Sequence, residues 1–336
     1  MIPLALGTAV SGEGGTLDLV SLPNLLIAGD DAETVGLVNA LLARLVRSHK
    51  PDALRLLMLG PPSAFSACDR LPHLLAPVAS TPPQVLGALC WLEQERARRL
   101  RLFREKRVRT IATFNQRASQ PLPRLVVLAY GLAELFEGAE DLQVRFADLL
   151  AHDLHAVGMH VIATTRYSGL AHLPGALKVN FPGRIAFRAP NVGASLLMLD
   201  EPGAEALAGI GEMLVARGGE APLRVQAAWV SPEAPDGLCA SLKATSAPAF
   251  EQTLLDMMER PPEEQPSASR KTSPEKPLTE EAYCQRALDL VRETGRCSVS
   301  ILQRNLNIGY NMARAIADKL EAKGLIPPGG NPPAKT

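Results

Sequence analysis

Three carboxylates stand between a short apolar run and the helical pattern that follows it. Leu25-Leu26-Ile27-Ala28-Gly29 reads as a buried strand, Thr34 to Leu45 as a helix, and Asp30-Asp31-Ala32-Glu33 as the turn that joins them. A strand, a tight turn and a helix can cradle a phosphate when the turn reads G-x-x-x-x-G-K-[ST]. Glycines then let backbone N–H groups face the phosphates, a lysine reaches the β and γ oxygens, and a hydroxyl holds Mg²⁺. Gly29 and Thr34 are what this turn keeps of that pattern, so they are the candidate phosphate-loop positions. The lysine and the second glycine are missing, and Asp30, Asp31 and Glu33 put negative charge where a polyanion would lie. Two unit charges about 4 Å apart repel by roughly 4 kcal/mol at an effective dielectric of ~20. The expectation is the architecture of a nucleotide site without its chemistry: no catalytic residue, no bound ATP and no Mg²⁺.

The remaining chemistry-bearing residues exclude other classes. Five cysteines, Cys68, Cys90, Cys239, Cys284 and Cys297, are scattered, and there is no C-x-x-C. The six histidines form no ligand-spaced cluster, so no metal site is expected and reduced cysteines in a cytoplasmic protein are the better reading. The 35 Lys and Arg balance 35 Asp and Glu, so no global field steers the chain to nucleic acid or membrane, and any DNA contact must be local. No apolar run approaches the ~18 residues of a membrane span.

The elements that must position the turn follow from the apolar pattern. Leu25–Ala28, Leu54–Leu59, Leu125–Ala129, His160–Ala163, Arg184–Phe187 and Leu223–Trp229 are short buried runs separated by helical stretches. That alternation predicts an α/β domain with a mostly parallel sheet. Residues 85–107 read as a long helix whose second half carries Arg96, Arg98, Arg99, Arg101, Arg104 and Arg107. Such a run is ordinarily a solvated face, and the alternative is a surface that tracks phosphates. Ala247 to Arg260 reads as a last helix of this domain, taken as residues 1–258.

Residues 259–278, rich in proline, serine and charge, read as a flexible linker. Residues 279–336 read as a small helical domain. Thr279-Glu280-Glu281 caps a helix to about Thr294, a second runs from Ser298 to near Leu306, and a third from Tyr310 to Lys323 follows the turn Asn307-Ile308-Gly309. Two helices around a three-residue turn with glycine fit a helix-turn-helix, and by spacing alone a small protein-interaction module fits equally.

Ser298 to Ile326 reads S-V-S-I-L-Q-R-N-L-N-I-G-Y-N-M-A-R-A-I-A-D-K-L-E-A-K-G-L-I. This closely resembles the C-terminal winged-helix gamma domain of the FtsK/SpoIIIE DNA translocases, S-x-S-x-L-Q-R-x-x-x-I-G-Y-N-R-A-A-R. The rest of the chain resembles the same family's motor. Leu22-Pro23-Asn24-Leu25-Leu26-Ile27-Ala28-Gly29 is similar to M-P-H-L-L-V-A-G, and Leu71-Pro72-His73-Leu74-Leu75 to I-P-H-L-L. Gly158 to Arg166 is similar to G-I-H-L-V-L-A-T-Q-R, Asn180 to Phe187 to N-I-P-T-R-I-A-F, and Leu199-Asp200-Glu201-Pro202-Gly203-Ala204-Glu205-Ala206-Leu207 to L-D-x-x-G-A-E-x-L. The resemblance implies a RecA-like P-loop-type core followed by a winged helix, and double-stranded DNA as partner. It also implies contact with an active FtsK-type translocase or an XerD-type recombinase, and assembly into homo- or hetero-oligomers.

The departures fall on the motor chemistry. Glu33 is nearest the place of the Walker A lysine, Tyr130 stands for the Mg²⁺-ordering aspartate and Gly131 for the water-activating glutamate. The family's D-P-K is Gly60-Pro61-Pro62, the glutamine of A-T-Q-R is Thr165, and an arginine is replaced by Leu196. Tyr130 and Leu132 are expected to fill the space that a metal–phosphate site would take, and Glu134 to face solvent. Phosphoryl transfer is almost entirely positioning and charge stabilisation, so these losses together predict no ATPase. The function expected is that of a catalytically silent FtsK/SpoIIIE-like DNA-binding protein, an accessory or regulatory factor in chromosome segregation or cell division. The alternative is an active ATP-dependent translocase with a displaced nucleotide site, which would need ATP and Mg²⁺. In the winged helix Met312 and Ala315 replace two family arginines, and Arg314 lies beside them. Residues 279–336 carry eight Lys and Arg against six Asp and Glu, so DNA contact rests on Gln303, Arg304, Asn311, Arg314 and Lys319.

Overall fold

The computed structural model describes residues 2–227 apart from 10–13, 23, 69 and 219, then residues 247–261 and residue 287. The chain divides into two compact units, Met1–Glu263 and Glu264–Thr336. The three helices expected in 279–323 lie outside the described residues, as do Gln303, Arg304, Asn311, Arg314 and Lys319.

The first unit is built on a nine-stranded sheet. Its strands are β1 (Pro3–Ala9), β2 (Gly14–Asp18), β3 (Asn24–Ala28), β4 (Leu54–Leu59), β5 (Arg124–Ala129), β6 (Met159–Thr165), β7 (Gly183–Ala186), β8 (Glu212–Arg217) and β9 (Leu223–Ala227). The spatial order is β2-β1-β9-β8-β7-β3-β6-β5-β4. Strands β7, β3, β6, β5 and β4 are parallel to one another. From β7 outward, β8, β9, β1 and β2 pair antiparallel. The parallel half is as expected. The antiparallel half is larger than the sequence suggested, because β1, β2 and β8 add to β9.

Each parallel strand is apolar along its length because both faces are covered. Every residue of β3 and of β6 is buried. On one face lies α1 (Asp31–Ser48), whose Leu37, Val38, Leu41, Leu42 and Leu45 pack on Leu25, Ile27, Leu56 and Val126. The other face carries α2 (Pro82–Glu105), α3 (Ile111–Arg117), α4 (Leu132–Leu135), α5 (Glu140–Leu150), α6 (Tyr167–Leu170), α7 (Gly175–Val179) and α8 (Val192–Leu199). The last described helix, α9 (Gln252–Glu259), runs against α2. Gly87 permits that approach, since a Cβ there would overlap the Met257 carbonyl. Trp91 Nε1 donates to Thr253 Oγ1 at 3.0 Å, and Arg55 donates to the carbonyls of Leu74 and Ala249, so the returning segment is tied to the edge of β4.

This topology fixes where a ligand would enter. The connection from β3 runs through α1 on one face, and the connection from β6 runs through α6 and α7 on the other. The crevice between the ends of β3 and β6 is therefore a topological switch point, where open α/β sheets bind their ligands.

Candidate functional site

A cavity of about 510 Å³ opens at that switch point. The first turn of α1 contributes Asp31, Thr34 and Val35, and the end of β4 contributes Gly60, Pro61 and Ser63. Tyr130, Gly131 and Glu134 follow β5, and Thr164, Thr165 and Arg166 close β6. Gly60 and Gly131 hold positive φ of 135° and 68°, which turns the chain sharply at the ends of β4 and β5. A Cβ on Gly60 would approach the Tyr130 carbonyl to 2.9 Å.

Gly29 and Thr34 are both at this turn, and each makes contacts within the chain. A Cβ on Gly29 would meet the Phe187 ring at 2.8 Å, so glycine there allows strand packing. Thr34 is 2% exposed, and its hydroxyl lies 3.0 Å from the Asp30 carbonyl and 3.2 Å from the Tyr130 hydroxyl. A threonine hydroxyl bonding back to its own helix is a self-contained arrangement.

Arg166 is the residue the sequence did not single out. Its guanidinium makes a two-pronged ion pair with Asp31, with Nε donating to Oδ1 at 2.9 Å and Nη2 to Oδ2. Tyr130 Oη stands 3.3 Å from Asp31 Oδ1, and Glu134 Oε1 is 3.9 Å from Arg166 Nη1. The hydrogen bond from Arg166 holds the Asp31 carboxyl below its ordinary range. Burial pushes the Tyr130 phenol up and keeps it neutral. Glu33 is not among the residues lining the cavity, and burial raises its carboxyl, with Asp30 adding to the effect. The lining therefore holds two carboxylates, Asp31 and Glu134, against one cation, Arg166.

One expectation needs correction. Leu132 is wholly buried in the core, but Tyr130 lines the cavity and does not fill it, because its hydroxyl is held at the rim by Asp31 and Thr34. Glu134 is about half exposed, as expected of a solvent-facing residue, and it also stands at the cavity wall, 3.9 Å from Arg166. The chain numbers of Asp31 and Arg166 are far apart, and A-T-T-R at 163–166 was the one available signal. Among the described residues no group of His, Cys, Asp and Glu could hold a metal ion.

The FtsK/SpoIIIE family profile matches residues 1–175, and the Ftsk gamma domain profile matches residues 279–332. The chain belongs to the FtsK/SpoIIIE family. It is 32% identical over 334 residues to the DNA translocase FtsK of Clostridium acetobutylicum, covering 97% of this chain and 42% of that protein. It is 33% identical over 346 residues to the DNA translocase FtsK of Treponema pallidum, covering 99% of this chain and 42% of that one. The chain thus spans less than half the length of these relatives. The fold is shared with the cytoplasmic domain of the type VII secretion ATPase EccC of Thermomonospora curvata (TM-score 0.62, 20% identity, 75% of this chain and 32% of that one). It is also shared with the pCW3 conjugation coupling protein TcpA (TM-score 0.60, 20% identity, 71% and 70%). The RecA-like P-loop-type core and the C-terminal gamma domain that the resemblance implied are thereby established. Among the described residues no helix is long and apolar enough to cross a membrane.

Proposed function

We propose that this chain is a cytoplasmic, DNA-binding FtsK/SpoIIIE-family protein that does not hydrolyse ATP. It serves as an accessory or regulatory factor in chromosome segregation or cell division. The observation that carries this reading is the closed network Arg166–Asp31–Tyr130–Thr34. Within the cavity wall Arg166, Asp31, Tyr130 and Thr34 engage one another's polar side-chain groups. A nucleotide would have to displace the Asp31 carboxylate from Arg166 and then sit beside Asp31 and Glu134. Electrostatic stabilisation of transferring phosphoryl groups relies on cations and a metal, and this wall supplies one arginine.

The DNA contact is assigned to the gamma domain through Gln303, Arg304, Asn311, Arg314 and Lys319. Its partners in this reading are double-stranded DNA and an active FtsK-type translocase or XerD-type recombinase. The test is a fluorescence-anisotropy titration of the full chain with duplex DNA, alongside a DNA-stimulated phosphate-release assay. Arg314→Ala should weaken binding, Arg270→Ala should leave it unchanged, and phosphate release should stay at background with or without DNA.

A second reading has its own support. The cavity of about 510 Å³ is open, and Thr34, Glu134 and Arg166 line it together. A working translocase could use Glu134 to orient water and Arg166 to hold phosphate once Asp31 turned away. Phosphate release that rises with DNA and disappears in Glu134→Gln would establish that reading over the first.

A further inference from the structure

The end of α2 and the start of α3 form a corner whose charges are one-sided. Arg101, Arg104, Lys106, Arg107, Arg109 and Arg117 are all exposed, and Glu105 is the only carboxylate within residues 101–117. None of the six cations is ion-paired among the described residues. In a chain with equal numbers of acids and bases, that segregation calls for a partner of opposite charge. An ordinary solvated helix face intersperses both signs.

The backbone supports the same conclusion. The amide of Val108 donates to the Phe103 carbonyl at 2.9 Å, closing the C-terminus of α2 with Arg107 in the left-handed region at φ 51°. Glycine is the usual residue at that position of a helix end because it adopts the conformation without strain. Here an arginine accepts the strain and adds a sixth cation to the corner.

The corner lies far from the cavity. Ile111 donates its amide to the Ala156 carbonyl at 2.8 Å, and Leu125 donates to the Gly158 carbonyl at 2.8 Å, which places α3 beside the N-terminal ends of β5 and β6. The cavity lies at their C-terminal ends, roughly 20 Å away for a strand of this length.

We propose that this corner is a second DNA contact, which tracks the sugar–phosphate backbone of a duplex. Five of its six cations are arginine, whose fork matches phosphate oxygens. Its exposed neighbours are Thr110, Thr113, Gln116 and Ser119, and no large exposed apolar side chain falls within residues 98–124. A protein partner would need an apolar or aromatic centre to its interface, whereas a nucleic-acid interface is polar and strongly positive. Contacts of this kind carry no sequence information and are salt-sensitive.

The experiment compares two triple variants of the full chain in anisotropy titrations with duplex DNA across a salt series. One is Arg101→Gln, Arg104→Gln and Lys106→Gln. The control removes three exposed cations elsewhere, by Arg70→Gln, Arg188→Gln and Arg260→Gln. Each lost phosphate contact lowers the slope of log affinity against log salt by about 0.9. The corner variant should lose between two and three of slope, and its affinity should fall at least about tenfold at low salt. The control should follow the unmodified protein. Repeating the pair in an Arg314→Ala background separates this contact from the gamma domain, because the difference between the variants should persist there. Equal slopes in the corner variant and the control overturn the proposal, and so does a wild-type chain that binds no DNA at low salt. Unchanged thermal melting of both variants shows that the charge changes leave the fold intact.

Discussion

Two carboxylate–arginine centres stand at opposite ends of the parallel strands, and burial separates their roles. At the N-terminal end Glu95 is 9% exposed and lies between Arg98 and Arg99, with Arg99 only 1% exposed. Arg99 donates Nε to Glu95 at 2.8 Å and Nη1 to the Val157 carbonyl at 2.8 Å. Burial opposes the Glu95 charge, and the two guanidinium groups outweigh it, so the carboxyl is held below its ordinary range. At the C-terminal end Asp31 and Arg166 make the same kind of pair with about half of each side chain in water. The buried centre joins α2 to the loop before β6 and is structural. The exposed one contributes little to stability, and its place is in the cavity wall.

That contrast breaks down first at Arg99 if it is wrong. Arg99→Ala leaves Glu95 buried with its deepest partner removed, and the unfolding free energy in urea should fall by about 3–5 kcal/mol. A loss under about 1 kcal/mol would mean that the two centres do not differ. His160 sharpens the same end. It is fully buried in β6 beside Arg124, and burial, aided by Arg124, pushes its imidazole down to about 3. Below pH ~6.5 the unfolded chain takes up that proton and the native chain does not, so stability falls with pH. The slope is up to about 1.4 kcal/mol per pH unit from this group until the native imidazole itself titrates. His73, also buried and lowered, adds in the same direction. Unfolding free energies at pH 6.5 and 5 should converge in His160→Gln relative to the parent, and identical slopes would contradict the assignment.

The smallest effect belongs to the exposed centre. Asp31→Asn should cost under about 1 kcal/mol at pH 7, because solvent screens the pair. Its contribution is present above the ordinary carboxyl range and is lost as pH falls through the depressed value, since Arg166 holds the folded carboxyl down. A loss several times larger, read by urea unfolding, would make Asp31 a structural residue like Glu95.

The scaffold was more legible than the site. Apolar runs marked β3, β4, β5, β6 and β7 because strands covered on both faces carry no polar alternation to confuse them. In β1 only alternate residues are buried, Leu4 and Leu6 among them, and Gly7 and Thr8 interrupt the signal. β8 buries only Met213, Leu214 and Val215 between less buried residues, too short a run to stand out as a strand. The acidic turn was visible from residue types alone, including its loss of lysine. What the turn does with its charge was not visible, because Arg166 reaches Asp31 across 135 residues by way of β6 pairing with β3. The unpaired corner of α2 was visible as a run of arginines, and its exposure and Arg107 backbone came only with the structure.

The central claim is that the phosphate position is already occupied by the chain's own carboxylate. Isothermal titration of the full chain with Mg-ATP, in the presence of duplex DNA, tests it most directly. The expected result is no saturable binding up to about 1 mM, a dissociation constant corresponding to roughly −4 kcal/mol. Saturable binding in the micromolar range, abolished by Arg166→Gln, would show that the nucleotide displaces Asp31 and that the site is alive.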